Sequence, residues 1–460
     1  MQQLHRLKKI SMARLQSKLR HFRQQIICRK VPHTIVSWRF VCPGNDPAVL
    51  LHRRVFLNAW NQHGRIPQYM IIFYSLVIWY GWQSWRQVFR VWFRQSLKLY
   101  QKLGTPRSLQ LYDLLLLALF HGIPPIFYYR FRLFQQPPRR WLNFIYNHEL
   151  PHWHTVMADS RSEPEVAAAK ELLGDKFAFA KKMALKQITA IPTTTMITGA
   201  SEPDPELIFR KKNLFLKPVR ANQCRNCYEL LYDFKRQDYE LSGIRGTRST
   251  SGQNGRKEFE QRELESVIGQ TNILTRITQL TGSEDFLIQP LLVNHPQITA
   301  AFTAERLVTI RFVTGHDGRQ ILPLSAVLEV PHHHLEKGWH LYTIEIETGC
   351  VRDNEFPLFF NLDDNKPHKP QIRPFAIPDW PAVIDLVQRA HTLFPALPTI
   401  GWDIAVTDCG PIVIEGNFNW SVNQAQILNG KPLLSGRLLD AYEELWNKRQ
   451  AGTHFLRGRT

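Results

Sequence analysis

Apolar positions follow a helical period in the first third of the chain and a strand period over most of the remainder. Leu15, Leu19, Phe22 and Ile26 recur at helical spacing among Lys and Arg, which predicts a basic amphipathic helix. Residues 66–85 carry no charge and include the apolar run Ile71–Tyr80. That length suits a bilayer span, but Gln68, Ser75, Gly81, Gln83 and Ser84 interrupt it, so a helix lying on a surface fits as well. Arg86, Arg90, Arg94 and Lys98 then recur every fourth residue, with Trp85, Phe89, Trp92 and Phe93 between them. A basic, aromatic helix of this kind suits a lipid interface. A helix packed on a neighbouring domain, its basic row in water, has the same pattern. The run Leu114–Phe120 is stopped by Gly122, Pro124 and Pro125, and Gln135–Arg140 reads as a domain boundary.

Beyond the boundary, residues 163–186 predict two helices broken at Gly174, with Asp175 as the N-cap of the second. Leu214–Val219, Asp285–Val293, Leu307–Thr314, Ile321–Val330 and Leu341–Thr348 read as strands, and Pro378–Phe394 as a helix. Within Leu307–Thr314, Arg311 stands among apolar residues. Burying it alone would be costly, so it needs an anionic partner.

Residues 401–420 form the most informative stretch. Trp402, Ile404 and Val406 alternate with smaller or polar residues, and Ile412 and Ile414 do the same after Asp408, Cys409 and Gly410. This predicts a hairpin with a three-residue turn and Gly410 in a left-handed conformation. Thr407 then faces Pro411, Ala405 faces Val413 and Asp403 faces Glu415, with Asn417 on the same side as Glu415. Facing carboxylates repel. They are either solvated acids or the two sides of a cation site, and two carboxylates with an amide oxygen make a hard-oxygen set suited to magnesium.

Composition narrows the chemistry. The chain has 460 residues, 44% of them hydrophobic, enough for a globular protein of two or three domains. Cys224 and Cys227 form one Cys-x-x-Cys pair without the second pair a structural zinc site needs. His332–His334 follow a proline and read as loop, and His148, His152 and His154 lack a helical HExxH frame. No Ser-His-Asp or Cys-His set stands out. Residues 1–140 carry 23 Lys or Arg against Asp46 and Asp113, a charge of +21, while the rest carries 35 bases against 37 acids. The N-terminal third is therefore the part drawn to an anionic surface. Lys8, Lys9, Arg14, Lys18 and Arg20 interrupt its first apolar stretch, so no signal peptide is expected. Arg interleaved with aromatics also suits nucleic acid, but no nucleic-acid module accompanies it and that partner is not expected.

The Asp403, Glu415 and Asn417 hairpin resembles the metal-binding end of the ATP-grasp enzymes. The wording Gly401–Ala405 and Gly410–Asn417 resembles one branch, the sugar-transfer-associated ATP-grasp proteins related to alpha-L-glutamate ligases. Asp175 and Lys176 opening a helix, Lys217 and Pro218 ending a strand, Asn294-His295-Pro296, and Thr309, Arg311 and Thr314 look like further family segments in the family's order. The apolar helix, Gly122–Pro125, Tyr128 and Tyr129 look like the branch's leader region, so the resemblance covers residues 110–450.

The resemblance implies an α+β fold, in which two α+β subdomains clasp ATP after a basic, mainly helical N-terminal region. The expected domains are 1–140, basic and aromatic-rich, and 141–450, ATP-grasp, with a nucleotide-binding subdomain at 165–290 and a metal-binding one at 291–450. By the same resemblance Lys176 and Lys217 reach the phosphates of ATP, and Gln289 and Leu291 form the adenine hinge. Arg311 meets the γ-phosphate or an acylphosphate, and Asp403, Glu415 and Asn417 hold one or two magnesium ions, with manganese as a substitute. The implied reaction joins a carboxylate to an amine through an acylphosphate. Its substrates would be an amino acid and a sugar of a cell-surface glycan precursor. The implied location is cytoplasmic and peripheral at the inner membrane face, with an anionic membrane surface met by residues 1–100. The chain departs from the family in one place: no glycine-rich turn follows the Lys217 strand, since Arg220–Cys227 contains no glycine. Arg220 or Arg225 would have to cover the phosphates instead, or the Ser242–Gly255 stretch as a lid, or else the grip is degraded. A kinase-like phosphotransferase and a membrane-surface nucleotide-binding protein without turnover are therefore the two other readings.

Overall fold

The computed structural model describes residues 34–61, 73–157, 163–198, 203–219, 226–243, 249–251, 257–259, 266–282, 284–302, 304, 306–317, 319–331, 339–352, 372–434, 436, 438–444 and 446–447. The expected helix at Leu15–Ile26, Arg220, Cys224, Arg225, His332–His334 and most of Ser242–Gly255 lie outside these residues. The chain divides into two compact units. One holds the residues up to Met157 together with those from Ser421 on; the other holds Ala158–Glu355 and Pro367–Trp420. The division falls after Met157 rather than at Gln135–Arg140, because Trp141, Leu142, Phe144 and Tyr146 are buried in the core of the first unit.

That first unit is helical: α1 (Pro47–Asn61), α2 (Ser84–Leu103), α3 (Arg107–Leu115), α4 (Ile126–Arg130) and α5 (Leu150–Met157). Its core is aromatic, built on Trp79, Tyr128, Tyr129, Phe131, Trp141 and Tyr146. α2 and α3 are tied together by buried Gln110, whose Nε2 donates to Ser96 O (3.1 Å) and Thr105 O (2.8 Å) while its Oε1 accepts from Tyr129 Oη (2.9 Å). Trp92, expected among the exposed aromatics, instead packs in this hairpin, donating to Arg107 O at 2.9 Å with the Arg107 guanidinium over its ring. Among the described residues no helix is long and apolar enough to cross a membrane.

The second unit opens with α6 (Glu163–Gly174) and α7 (Lys176–Leu185). Asp175 caps α7 as its sequence predicts, accepting from Phe177 N and Ala178 N at 3.0 Å. Next come β1 (Thr195–Ile197), α8 (Pro205–Ile208), β2 (Leu214–Pro218), β3 (Tyr228–Asp233), β4 (Asp238–Gly243), the small pair β5 (Ser249–Ser251) and β6 (Lys257–Phe259), β7 (Ser266–Ile268), α9 (Gln270–Thr281) and β8 (Phe286–Pro290). Six of these strands form an antiparallel sheet in the order β1-β8-β2-β3-β4-β7. Leu214, Leu216, Phe286 and Ile288 face a core shared with Ile273 and Ile277 of α9. Period 2 therefore turns Phe215, Lys217, Leu287 and Gln289 to the other face.

α10 (Pro296–Phe302) leads into a seven-stranded antiparallel sheet built from β9 (Thr309–His316), β10 (Ile321–Pro331), β11 (Trp339–Ile344), β12 (Cys350–Arg352), β13 (Phe375–Ala376), β14 (Thr399–Thr407) and β15 (Gly410–Asn417), with α11 (Trp380–Thr392) preceding β14. Val383, Leu386, Val387 and Ala390 of α11 pack on Phe312, Leu328 and Trp402 in one core. The exposed edge of β15 is covered by residues 189–191, through Ile191 N to Val413 O (2.9 Å) and Val413 N to Thr189 O (3.0 Å).

The terminal hairpin differs from its expected register. The loop is two residues, Asp408 and Cys409, and Thr407 pairs with Gly410, Ala405 with Ile412 and Ile404 with Val413. Gly410 has the positive φ expected of it, +99°. A one-residue slip flips every side chain to the opposite face, so this register would put Glu415 on the core side. A bulge at Ile414 restores the phase: Asp403 pairs with Glu415 and Gly401 with Asn417. The expected facing carboxylates are present, but they are produced by a tight turn plus a bulge.

Past Trp420 the chain enters the first unit again through α12 (Val422–Asn429). Gln426 is fully buried there. Its Nε2 donates to Ile145 O (2.7 Å), and its Oε1 accepts from Ile145 N (3.0 Å) and Leu433 N (3.2 Å).

Candidate functional site

The site is assembled on the seven-stranded sheet. Arg311 sits at the middle of β9 with β14 on one side and β10 on the other. Its Nε lies 2.8 Å from Asp403 Oδ1 and 4.0 Å from Glu329 Oε1. Asn417 Nδ2 is 3.4 Å from both Asp403 Oδ2 and Glu415 Oε1, and the two carboxyl groups are themselves hydrogen-bonded. Arg311, Asp403, Glu415, Asn417 and Glu329 thus form one largely buried cluster. Glu329 is the member that sequence reasoning missed; its signal was a lone acid in the apolar strand Ile321–Val330.

The electrostatics follow from burial and mutual proximity. Burial raises the proton affinity of Asp403 far above the usual carboxylate range; Arg311 opposes this, and Glu415 and Glu329 add to it. Burial also works against ionised Glu415, but the hydrogen bond from Asp403 and the charges of Lys176 and Lys217 outweigh it and hold Glu415 below its ordinary value. The pair therefore holds a proton more readily than two separate carboxyl groups would. Burial disfavours the Arg311 cation, and Asp403, Glu329 and Glu415 more than restore it. Lys176, the first residue of α7, is half-buried, and Lys217 on β2 is buried; both are close enough to act on Glu415.

Gln289 and Leu291 lie at the end of β8 and do not join the carboxylate cluster. Gln289 is 1% exposed, shares the Lys217 face of its sheet, and its Oε1 accepts no hydrogen bond among the described residues. The amide of Leu291 is taken by Asn213 O at 3.1 Å, so it has no N–H to offer a ligand. Asn294 is structural: it accepts from Val308 N (2.7 Å) and donates to Arg306 O (2.8 Å). Thr314 is structural too, lying between Trp402 Nε1 and His391 Nδ1, each 2.7 Å away. Gln426 has its amide fully engaged within the first unit. Among the described residues no three His, Cys, Asp or Glu side chains form a metal cluster. Asp403 and Glu415 converge, with Asn417 Nδ2 facing both, and such a carboxylate pair fits magnesium, which binds through one or two carboxylates and takes its other positions from phosphates and water.

Two α+β subdomains, one with a lysine-bearing strand and one with a terminal acid–acid–amide hairpin, define the ATP-grasp class. A family model described as sugar-transfer associated ATP-grasp matches residues 165–441, and the chain belongs to that family. No curated protein matches the chain. Similar solved structures include D-alanine–D-alanine ligase from Bacillus anthracis complexed with ATP, at 12% identity over 62% of this chain and 69% of that one, TM-score 0.35. D-alanyl-alanine synthetase A from Vibrio cholerae is 8% identical over 61% and 66%, TM-score 0.36. The ATP-grasp ligase PsnB, complexed with a phosphomimetic precursor variant, Mg and ADP, is 15% identical over 65% and 66%, TM-score 0.31. At these values the structures say nothing of this chain's own substrates.

Proposed function

We propose that the chain is an ATP- and magnesium-dependent carboxylate–amine ligase acting on a cell-surface glycan precursor, with an amino acid and a sugar as the acid and amine partners. The convergence of Arg311, Asp403, Glu415 and Asn417, with Lys176 and Lys217 acting on the same carboxylate, carries this reading. One such cluster offers both signs of charge that a nucleotide–metal complex needs.

Asp403, Glu415 and Asn417 are the residues to hold magnesium, one or two ions, with manganese as a substitute. When bound, magnesium neutralises the β- and γ-phosphates and draws charge toward the leaving ADP. Lys176 and Lys217 stabilise the triphosphate as point charges. Gln289 offers an unmatched acceptor to the adenine amino group. Arg311, held on its inner side by Asp403, turns its guanidinium to the transferring phosphoryl group. A substrate carboxylate oxygen attacks the γ-phosphorus, ADP departs, and the acylphosphate is captured by an amine with loss of inorganic phosphate. No protein nucleophile is needed. Placement at the inner face of a membrane belongs to the same reading.

The test is phosphate release from Mg·ATP against a panel of amino acids and amino sugars, with the acid labelled in its carboxyl oxygens by ¹⁸O. The ligase reading requires ¹⁸O in the inorganic phosphate. Phosphate retained on the product would establish the kinase-like reading, and nucleotide binding without any turnover the non-catalytic one.

A further inference from the structure

α2 carries three lengthwise stripes. Ser84, Val88, Gln95, Ser96 and Leu99 are buried against the first unit's own core. Trp85, Phe89, Phe93 and Leu97, spaced by four residues, form a second stripe that is exposed, Phe93 to 68%. Arg86, Arg90, Arg94 and Lys98, each one position further on, form a third stripe beside it. Trp82, just before α2, is 63% exposed and extends the apolar stripe. Trp85 also borders a hollow of about 530 Å³ walled by Val36, Trp38, Val41, Tyr80 and Phe120, a lining that is almost wholly apolar. The exposed rings therefore continue from the hollow along the helix.

The sequence around this face is strongly basic. Residues 34–157 contain fourteen Lys or Arg and three acids. Of the acids, Asp46 pairs with Arg39 at 2.9 Å, Asp113 accepts from Tyr128 Oη at 2.8 Å, and Glu149 is fully buried. Contiguous exposed apolar surface of this kind marks an interaction site. Rings that stand beside a row of cations match the chemistry of an anionic bilayer surface, where rings lie among the upper acyl chains and the cations meet phosphates. A protein groove would call for no such one-sided charge.

We infer that α2 docks in the surface of an anionic phospholipid bilayer. The Trp85–Leu97 stripe enters the acyl region, the Arg86–Lys98 stripe meets the head-group phosphates, and the hollow beside Trp85 receives one lipid chain. This gives the membrane placement of the proposed function its element and its lipid class, and it stands without the ligase chemistry.

The test uses the full chain and phosphatidylcholine vesicles with and without phosphatidylglycerol. Binding is expected only with phosphatidylglycerol and weakens steeply as added salt shortens the screening length. The double variant F89S/F93S should bind at least about tenfold more weakly at low salt, while keeping a cooperative thermal transition. The double variant R90Q/R94Q should lose the preference for phosphatidylglycerol. Wild-type binding by F89S/F93S, or wild-type binding that ignores salt, would overturn the inference. So would a dimer in solution that F89S/F93S dissociates while vesicles bind neither protein, since a second copy would then be the occupant of this face.

Discussion

Two buried carboxylates within hydrogen-bonding distance of each other repel unless a proton or a cation stands between them, so Asp403 and Glu415 couple stability to the occupant of the site. Replacing Glu415 by Gln removes one of the charges. The thermal midpoint without magnesium should not fall, its rise on adding Mg·ATP should disappear, and turnover should drop at least about hundredfold. A magnesium-induced rise retained in E415Q would remove Glu415 from the ligand set. His391 offers a separate reading of residue chemistry. Its Nε2 is 2.9 Å from Leu397 O and its Nδ1 2.7 Å from Thr314 Oγ1, and burial lowers its pKa from 6.5 to about 3. The folded protein holds this imidazole neutral while the unfolded chain protonates it near 6.5. Its share of stability is therefore complete above pH 6.5 and is lost as the pH falls toward 3. Denaturant midpoints should decline over that interval and decline less in His391→Gln. Sequence made Asp403, Glu415 and Arg311 visible, because charge at an apolar strand position must be answered by something. It hid the protonation pattern and Glu329, which depend on which strands become neighbours.

Strands and helices with strong apolar periods were readable within a few residues: β2, β8, β9, β10, α11 and the break between α6 and α7. The β3–β4 hairpin was not read, because Glu229, Asp233, Asp238 and Glu240 thin its apolar alternation and its turn lacks a glycine. The bulge at Ile414 could not be read at all, since a bulge exists only relative to a partner strand. Close packing supports that register. Gly416, on the core side of β15, is tightly packed: a Cβ there would lie 2.7 Å from Leu173 Cδ2 and 3.0 Å from Trp402 Cζ3. Gly416→Ala should therefore destabilise the protein by about 1–3 kcal/mol, as overpacking does. The measurement is the urea midpoint at unchanged m-value. An unshifted midpoint would mean that the hairpin packs more loosely against α6 than these distances require.

At the scale of the whole chain, the charge division was legible from residue counts, and with it the expectation of one part seeking an anionic surface and another performing chemistry. What no local pattern disclosed is that the first unit is discontinuous. Its core is completed by Ile427 of α12, and Gln426 and Leu434 hydrogen-bond to Ile145 and Asn143, nearly three hundred positions earlier. During synthesis this imposes an order. The chain leaves the ribosome at about 5–20 residues per second, so the helices before Met157 wait tens of seconds for α12. Meanwhile the strands up to β15 have all emerged and can close on one another. The part made second is thus able to fold first. During that wait the core of the first unit lacks Ile427, and Ile145 lacks its hydrogen bonds to Gln426.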